Sequence, residues 1–157
     1  MSFSLSEQTE AKIEQVMQRY PEKRAATLPI LHLIQEEKGW ISEEAQNYVA
    51  QRVEVPPIKI REVLSFYTLL RTRKIGKFHF QVCRTVACTL RGGKSILQHL
   101  EKKLGIKSGE TSADGMFTLT EVECLAACEI APMLQLNDDY IGPLTPEKLD
   151  ELIDGLK

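Results

Sequence analysis

FHFQVCRTVAC, residues 78–88, and FTLTEVECLAAC, residues 117–128, follow one plan: a strand-like run that ends in a close pair of cysteines. In the first, Phe78, Phe80 and Val82 alternate with His79, Gln81 and Cys83, the period-two pattern of a strand with one buried face. In the second, Phe117, Leu119 and Val122 stand among threonines and glutamates. Between them Gly92-Gly93 opens a stretch in which Ile96, Leu97, Leu100 and Leu104 fall at helical spacing, and Gly105 closes it. Strand, helix, strand predicts a βαβ unit with parallel strands and a right-handed crossover. The loops after both strands then leave the same sheet edge, where open α/β sheets bind their ligands. Cys83, Cys88, Cys124 and Cys128, the only cysteines in the chain, can converge there.

The spacing, Cys83-x4-Cys88 and Cys124-x3-Cys128 with 35 residues between the pairs, reads as a four-thiolate metal site. It leaves the metal open. Structural zinc sites favour tight C-x2-C knuckles but tolerate wider ones, and 2Fe-2S clusters are held by four thiolates at varied spacings, C-x4-C included. A disulfide framework is disfavoured: MSFSLSEQTE does not read as a secretory signal, and the chain is long enough for a core without staples.

Composition narrows the function classes. The 157 residues are 43% hydrophobic, enough for one substantial core or two small ones. Net charge is -2, and neither half is strongly one-signed, with 11 basic against 10 acidic residues in 1–74 and 9 against 12 in 75–157. Nucleic acid is therefore not an expected partner. No apolar run approaches the roughly 18 residues of a membrane span, so we expect a soluble intracellular protein whose membrane association comes through a partner.

Along the chain, Ser6 caps a helix over residues 7–20 that Pro21 ends, with Ile13, Val16, Met17 and Tyr20 on its apolar stripe. A second helical stretch, 22–38, contains Pro29 and so should kink or restart there before Gly39 stops it. Ser42 caps a third helix carrying Ala45, Tyr48, Val49 and Val53, and Pro56-Pro57 starts a fourth carrying Ile60, Val63, Leu64 and Tyr67. Residues 1–74 are thus expected to form a small helical domain, and RTRKIGK, 71–77, a linker. After the second cysteine pair, MLQLN and DDYIG predict two short strands, and Thr145-Pro146 opens a last helix with Leu149, Leu152, Ile153 and Leu156 inward. Residues 75–157 then fit a thioredoxin-like α/β domain, giving an α+β chain in two parts.

Several motifs carry less than they suggest. GGKS at 92–95 would end a phosphate-binding loop only with a glycine at position 88, which is Cys88, and no G-x-G-x-x-G occurs, so no nucleotide site is expected. Neither cysteine pair has the C-x-x-C spacing of disulfide exchange. His79 is expected on an exposed strand face, His99 on the polar side of a helix and His32 among helix apolars, none as a ligand. Trp40, Phe66 and Tyr67 read as core or interface aromatics.

The two cysteine pairs, DG-x-F-x-L-x-x-VECL before the second, AP after it, then ND-x-Y and LTPEKL, resemble the small 2Fe-2S (NuoE-type) subunit of bacterial NADH:quinone oxidoreductase, respiratory complex I. LPILHLIQEEKGWISEEA and SFYTLL are similar to that family's helical domain, so the resemblance runs from about residue 20 onward. It implies a thioredoxin-like 2Fe-2S ferredoxin domain in which Cys83, Cys88, Cys124 and Cys128 ligate one 2Fe-2S cluster. It further implies an electron-carrying subunit with no substrate site of its own. NADH and FMN would sit on a partner flavoprotein (NuoF-type) subunit, with other peripheral-arm subunits as further partners. The place implied is cytoplasmic, at the inner face of the membrane through the complex. The family's cluster lies near the flavin, off the main electron path, and is thought to hold an electron temporarily. The helical domain then reads as a docking surface.

One departure stands out: the family usually has CLGAC, and here CLAAC puts Ala126 in the glycine position. If the backbone needs a positive φ there, Ala126 costs about 1 kcal/mol. Positive potential near such a cluster favours its reduced state, which makes the amino end of the helix opening at Gly93, together with Arg84, Arg91 and Lys94, candidate tuning groups. Two other readings stay open: the equivalent diaphorase subunit of a soluble NAD-linked hydrogenase or formate dehydrogenase, and a zinc-stabilised interaction module.

Overall fold

The computed structural model describes residues 3–156. The chain divides into two compact units, with the boundary between Lys74 and Ile75.

The first unit is helical: α1 (Glu7–Met17), a 3-10 turn (Lys23–Ala26), α2 (Thr27–Lys38), α3 (Glu43–Arg52) and α4 (Pro57–Phe66). The caps act as expected, with Ser6 Oγ accepting from Thr9 N–H and Ser42 Oγ from Ala45 N–H, each at 3.2 Å. Pro29 falls in the first turn of α2, where its missing N–H costs no helical bond, so the chain restarts rather than kinks. Ile13, Ile30, Leu31, Ile34, Val49 and Ile60 are fully buried together. The start of α1 is latched to α2 by Glu37, whose carboxylate accepts from Ser6 Oγ at 2.9 Å; Lys38, Thr9 and Ser6 hold that carboxyl down to about 2. Two expectations fail here. Helix α1 ends at Met17, leaving Tyr20 40% exposed, and Tyr67 stands outside α4 as its extended C-cap, 43% exposed, instead of facing the core.

The second unit is a four-stranded sheet in the order β2-β1-β3-β4, built from β1 (Phe78–Cys83), β2 (Phe117–Val122), β3 (Leu134–Leu136) and β4 (Asp139–Ile141). Strands β1 and β2 are parallel, with Phe78 opposite Phe117 and Cys83 opposite Val122; β3 is antiparallel to both β1 and β4. The crossover contains α5 (Val86–Leu90) and α6 (Gly93–Leu104), and α7 (Pro146–Asp154) closes the unit. Phe80, Leu119 and Leu134 of the sheet pack with Ile96 and Leu100 of α6 and Leu149 and Ile153 of α7.

The reading of β1 as a strand with one solvent face is corrected. It lies between β2 and β3, so neighbouring strands flank His79 and Gln81, which are only 8% and 9% exposed. His79 Nε2 meets Thr120 Oγ1 at 2.9 Å. Gly76 also departs from its expected place in a linker. It is buried, its N–H donates to Thr118 Oγ1 at 2.6 Å, and a Cβ there would lie 2.8 Å from the backbone of Met116 and Phe117. Among the described residues no helix is long and apolar enough to cross a membrane.

Candidate metal centre

Cys83 is the last residue of β1 and Cys88 the third of α5, both buried, whereas Cys124 lies in the loop after β2 and Cys128 opens a 3-10 turn (Cys128–Ile130), both exposed. The parallel pairing brings the loops together. Cys83 and Cys88 share one apolar cluster with Ala127, Ala131 and Met133, and Leu125 and Ile130 pack against it. The backbone between and after the second pair of cysteines therefore covers the first pair.

Hydrogen-bond donors converge on the sulfurs. Thr85 Oγ1 lies 3.1 Å from Cys83 Sγ, which also accepts from the N–H groups of Thr85 and Leu125. Met133 N–H donates to Cys88, and Ala126 N–H donates to Cys124 Sγ at 3.3 Å. Burial pushes the Cys83 thiol up, but the Thr85 and Leu125 donors and the Cys88 contact outweigh it, leaving Cys83 below the ordinary thiol value. Burial raises Cys88, Met133 N–H opposes this only in part, and the neighbouring Cys83 and Cys128 keep it high. Two thiols side by side resist ionising together, and a bound cation removes that repulsion. Among the described residues no three His, Cys, Asp or Glu side chains gather as a site for a single metal ion. The four sulfurs form a buried pair and an exposed pair instead.

Backbone packing holds both loops. Gly93, the first residue of α6, lies so close to the first loop that a Cβ would sit 2.8 Å from the Cys88 carbonyl oxygen. Gly142 backs the second loop, where a Cβ would sit 2.2 Å from the Ile130 carbonyl oxygen. Ala126 has φ +59°, the left-handed conformation that glycine adopts freely and an alanine only at a cost. In that conformation it donates to Cys124.

Of the expected tuning groups, Arg84 ties the loops together, with its N–H on Val122 C=O at 3.0 Å and its guanidinium in an exposed ion pair with the Glu123 carboxylate. Lys94 lines a cavity of about 40 Å³ beside Cys83. Arg91 is exposed and makes no ion pair among the described residues. His32 is exposed, and His99 Nε2 meets Asp150 Oδ1 at 2.9 Å. Reading the sequence missed Thr85, Met133 and Gly142. A hydroxyl two residues after Cys83 was a signal for the first; backbone donors and close backbone approach leave none.

The model of the thioredoxin-like [2Fe-2S] ferredoxin family matches residues 13–157. The E subunit of the NADH-quinone oxidoreductase of Rickettsia conorii is 46% identical over 147 residues, spanning 92% of this chain and 88% of that protein. One of the E subunits of the same oxidoreductase from Rhizobium meliloti, designated E 2, is 44% identical over 146 residues, 93% of this chain and 87% of that one. Among solved structures, an NAD+-reducing [NiFe]-hydrogenase in the air-oxidized state shares the fold with a TM-score of 0.71 at 20% identity; the match covers 83% of this chain but only 22% of the hydrogenase chain. With the family model matching nearly the whole of this chain, residues 13–157, and these two relatives aligned over most of their own length, the chain belongs to the thioredoxin-like [2Fe-2S] ferredoxin family.

Proposed function

We propose that this chain is the electron-transfer subunit of an NADH:quinone oxidoreductase of the complex I type, holding one 2Fe-2S cluster on Cys83, Cys88, Cys124 and Cys128. The observation that carries the reading is the ring of donors on the sulfurs in this family's fold: Thr85, Leu125, Met133 and Ala126 all point hydrogen-bonding groups at thiols. Such donors favour thiolates and stabilise negative charge on a thiolate-ligated cluster, which is how a protein tunes the potential of one. A dinuclear cluster also suits a paired donor set, two thiolates to each iron. When bound, the cluster supplies one-electron exchange and makes no bond to substrate.

The chain's own residues hold, cover and connect. The apolar cover of Ala127, Ala131 and Met133 keeps water from the first pair, while the exposed second pair marks the side through which an electron can pass. Electrons would arrive from the NADH- and FMN-binding flavoprotein subunit, in the company of other peripheral-arm subunits, at the cytoplasmic face of the membrane. The hydrogenase diaphorase reading has the shared fold in its favour. The NADH-quinone oxidoreductase relatives match at more than twice the identity and over most of their own length, so the oxidoreductase reading stands ahead.

The test is visible absorption and low-temperature EPR of anaerobically purified protein before and after dithionite, with iron and acid-labile sulfide assayed together. About two irons and two sulfides per chain, bleaching on reduction to a spin-half signal, is the expected result. A colourless protein with stoichiometric zinc and no signal would replace the function with a structural metal site.

A further inference from the structure

The turn that follows α4 exposes a run of large apolar side chains on the helical unit: Phe66 is 76% exposed, Leu69 63% and Tyr67 43%. The Phe66 and Tyr67 rings meet edge to face at 5.1 Å. A slack loop would account for such exposure, but this turn is pinned. Leu70, within it, is driven into the helical core at 4% exposure. Gln35 of α2 grips the backbone on both sides, its Nε2 donating to Leu69 C=O at 2.9 Å and its Oε1 accepting from Arg71 N–H at 2.6 Å. Ile41 N–H donates to Arg71 C=O at 2.7 Å, and Leu70 N–H to Tyr67 C=O at 2.9 Å. The backbone is held at Tyr67, Leu69, Leu70 and Arg71 while three apolar side chains face water. Folding of this unit gains nothing from presenting them there.

The flank of this turn is basic. Arg71, Arg73 and Lys74 follow at once with no acidic residue among them, and none forms an ion pair with a described residue. In the same unit Lys23, Arg24, Lys38, Arg52, Lys59 and Arg61 each have a glutamate partner, while Lys12 and Arg19, like this flank, have none among the described residues. A rigid aromatic and aliphatic projection beside unneutralised guanidinium groups is the composition of an interface centre and its rim, and its rigidity lowers the entropic cost of binding.

We infer that Phe66, Tyr67 and Leu69, with Arg71, Arg73 and Lys74 as a basic flank, form a docking face for the flavoprotein subunit, which meets it with an apolar pocket bordered by Asp or Glu carboxylates. This rests on the proposed function, which requires such a partner, and assigns the place on this chain that holds it. The basic flank speeds and orients encounter, and the apolar side chains set the lifetime of the complex.

The test measures binding of the cluster-loaded full chain to the flavoprotein subunit from the same genome, with association and dissociation followed at low and high salt. Phe66→Ser with Leu69→Ser should weaken binding at least tenfold, mainly through faster dissociation. Arg73→Glu with Lys74→Glu should slow association at low salt and flatten its salt dependence. Neither pair should move the melting temperature or the visible spectrum, because all four side chains are exposed. Val86→Ser with Leu90→Ser, exposed apolar positions on α5 at 73% and 81%, serves as the contrast. Wild-type affinity in both patch variants, with or without loss in the α5 variant, overturns the docking face and leaves the proposed function intact. A wild-type chain that does not bind the flavoprotein sinks the functional reading and this face together. A self-association that the patch variants abolish would give the face to a second copy of this chain, and overturn the assignment.

Discussion

Cys83 and Cys88 are 3% and 2% exposed, on a strand end and a helical turn, while Cys124 lies exposed in the loop after β2 and Cys128 lies exposed at the start of a 3-10 turn. The first loop takes its shape from regular elements: β1 delivers Cys83, α5 delivers Cys88, and Thr85 supplies the side-chain donor between them. The second takes its shape from tight contacts and one strained residue: Gly142 against Ile130, and Ala126 at positive φ. One half of the site is thus built by secondary structure and covered by the other half. The other half depends on what is packed behind it, and it is the half that is exposed.

Given that difference, the largest single effect belongs to the second loop. Gly142→Ala places a methyl group 2.2 Å from the Ile130 carbonyl oxygen, and neither side of the contact is a flexible side chain. We expect a loss of about 3 kcal/mol, at the upper end of overpacking costs, in urea unfolding. A neutral result would show that the second loop yields freely and is not buttressed. The next effect compares the thiols directly. In iron-free, folded protein, iodoacetamide should label Cys124 and Cys128 about a hundredfold faster than Cys83 and Cys88, followed by peptide mass spectrometry, since attack needs access. Equal rates would mean that the first pair is open until a metal closes it. Smaller again is Gly93→Ala, whose methyl group would meet the Cys88 carbonyl at 2.8 Å where α6 begins. About 1–2 kcal/mol is expected, because a helix start can shift by the few tenths of an ångström required.

The same contrast explains what could be read before the structure. The parallel βαβ unit and the start of α6 at Gly93 follow from residue types at fixed spacing, and both are found. Alternation along β1 was legible, but its solvent face was not, because burial of His79 and Gln81 depends on strands that arrive from elsewhere in the chain. Helix α5 is five residues long, less than two turns, too short to show a helical period. Met133 acts through its backbone N–H and Gly142 through the lack of a side chain, and neither leaves a pattern. Tyr67 looked like part of an apolar stripe and instead starts the exposed turn, since periodicity cannot say where a helix stops without a cap signal.

Ala126 gives the smallest expected effect and the sharpest sign. In the left-handed region its Cβ crowds the carbonyl at a cost of roughly 1–2 kcal/mol, which Ala126→Gly removes. Glycine also loosens the unfolded chain, which takes back about 0.5–1 kcal/mol. The two terms leave a net gain of about 0.5 kcal/mol, to be read as a small rise in the urea midpoint at constant slope. The donor to Cys124 is the backbone N–H, present in both proteins, so the gain should come without a change in the visible spectrum of the loaded chain. A fall in stability would mean that the loop profits more from a stiff residue than it loses to strain. The second loop would then hold its own shape after all, and the contrast with the first would lie in exposure alone.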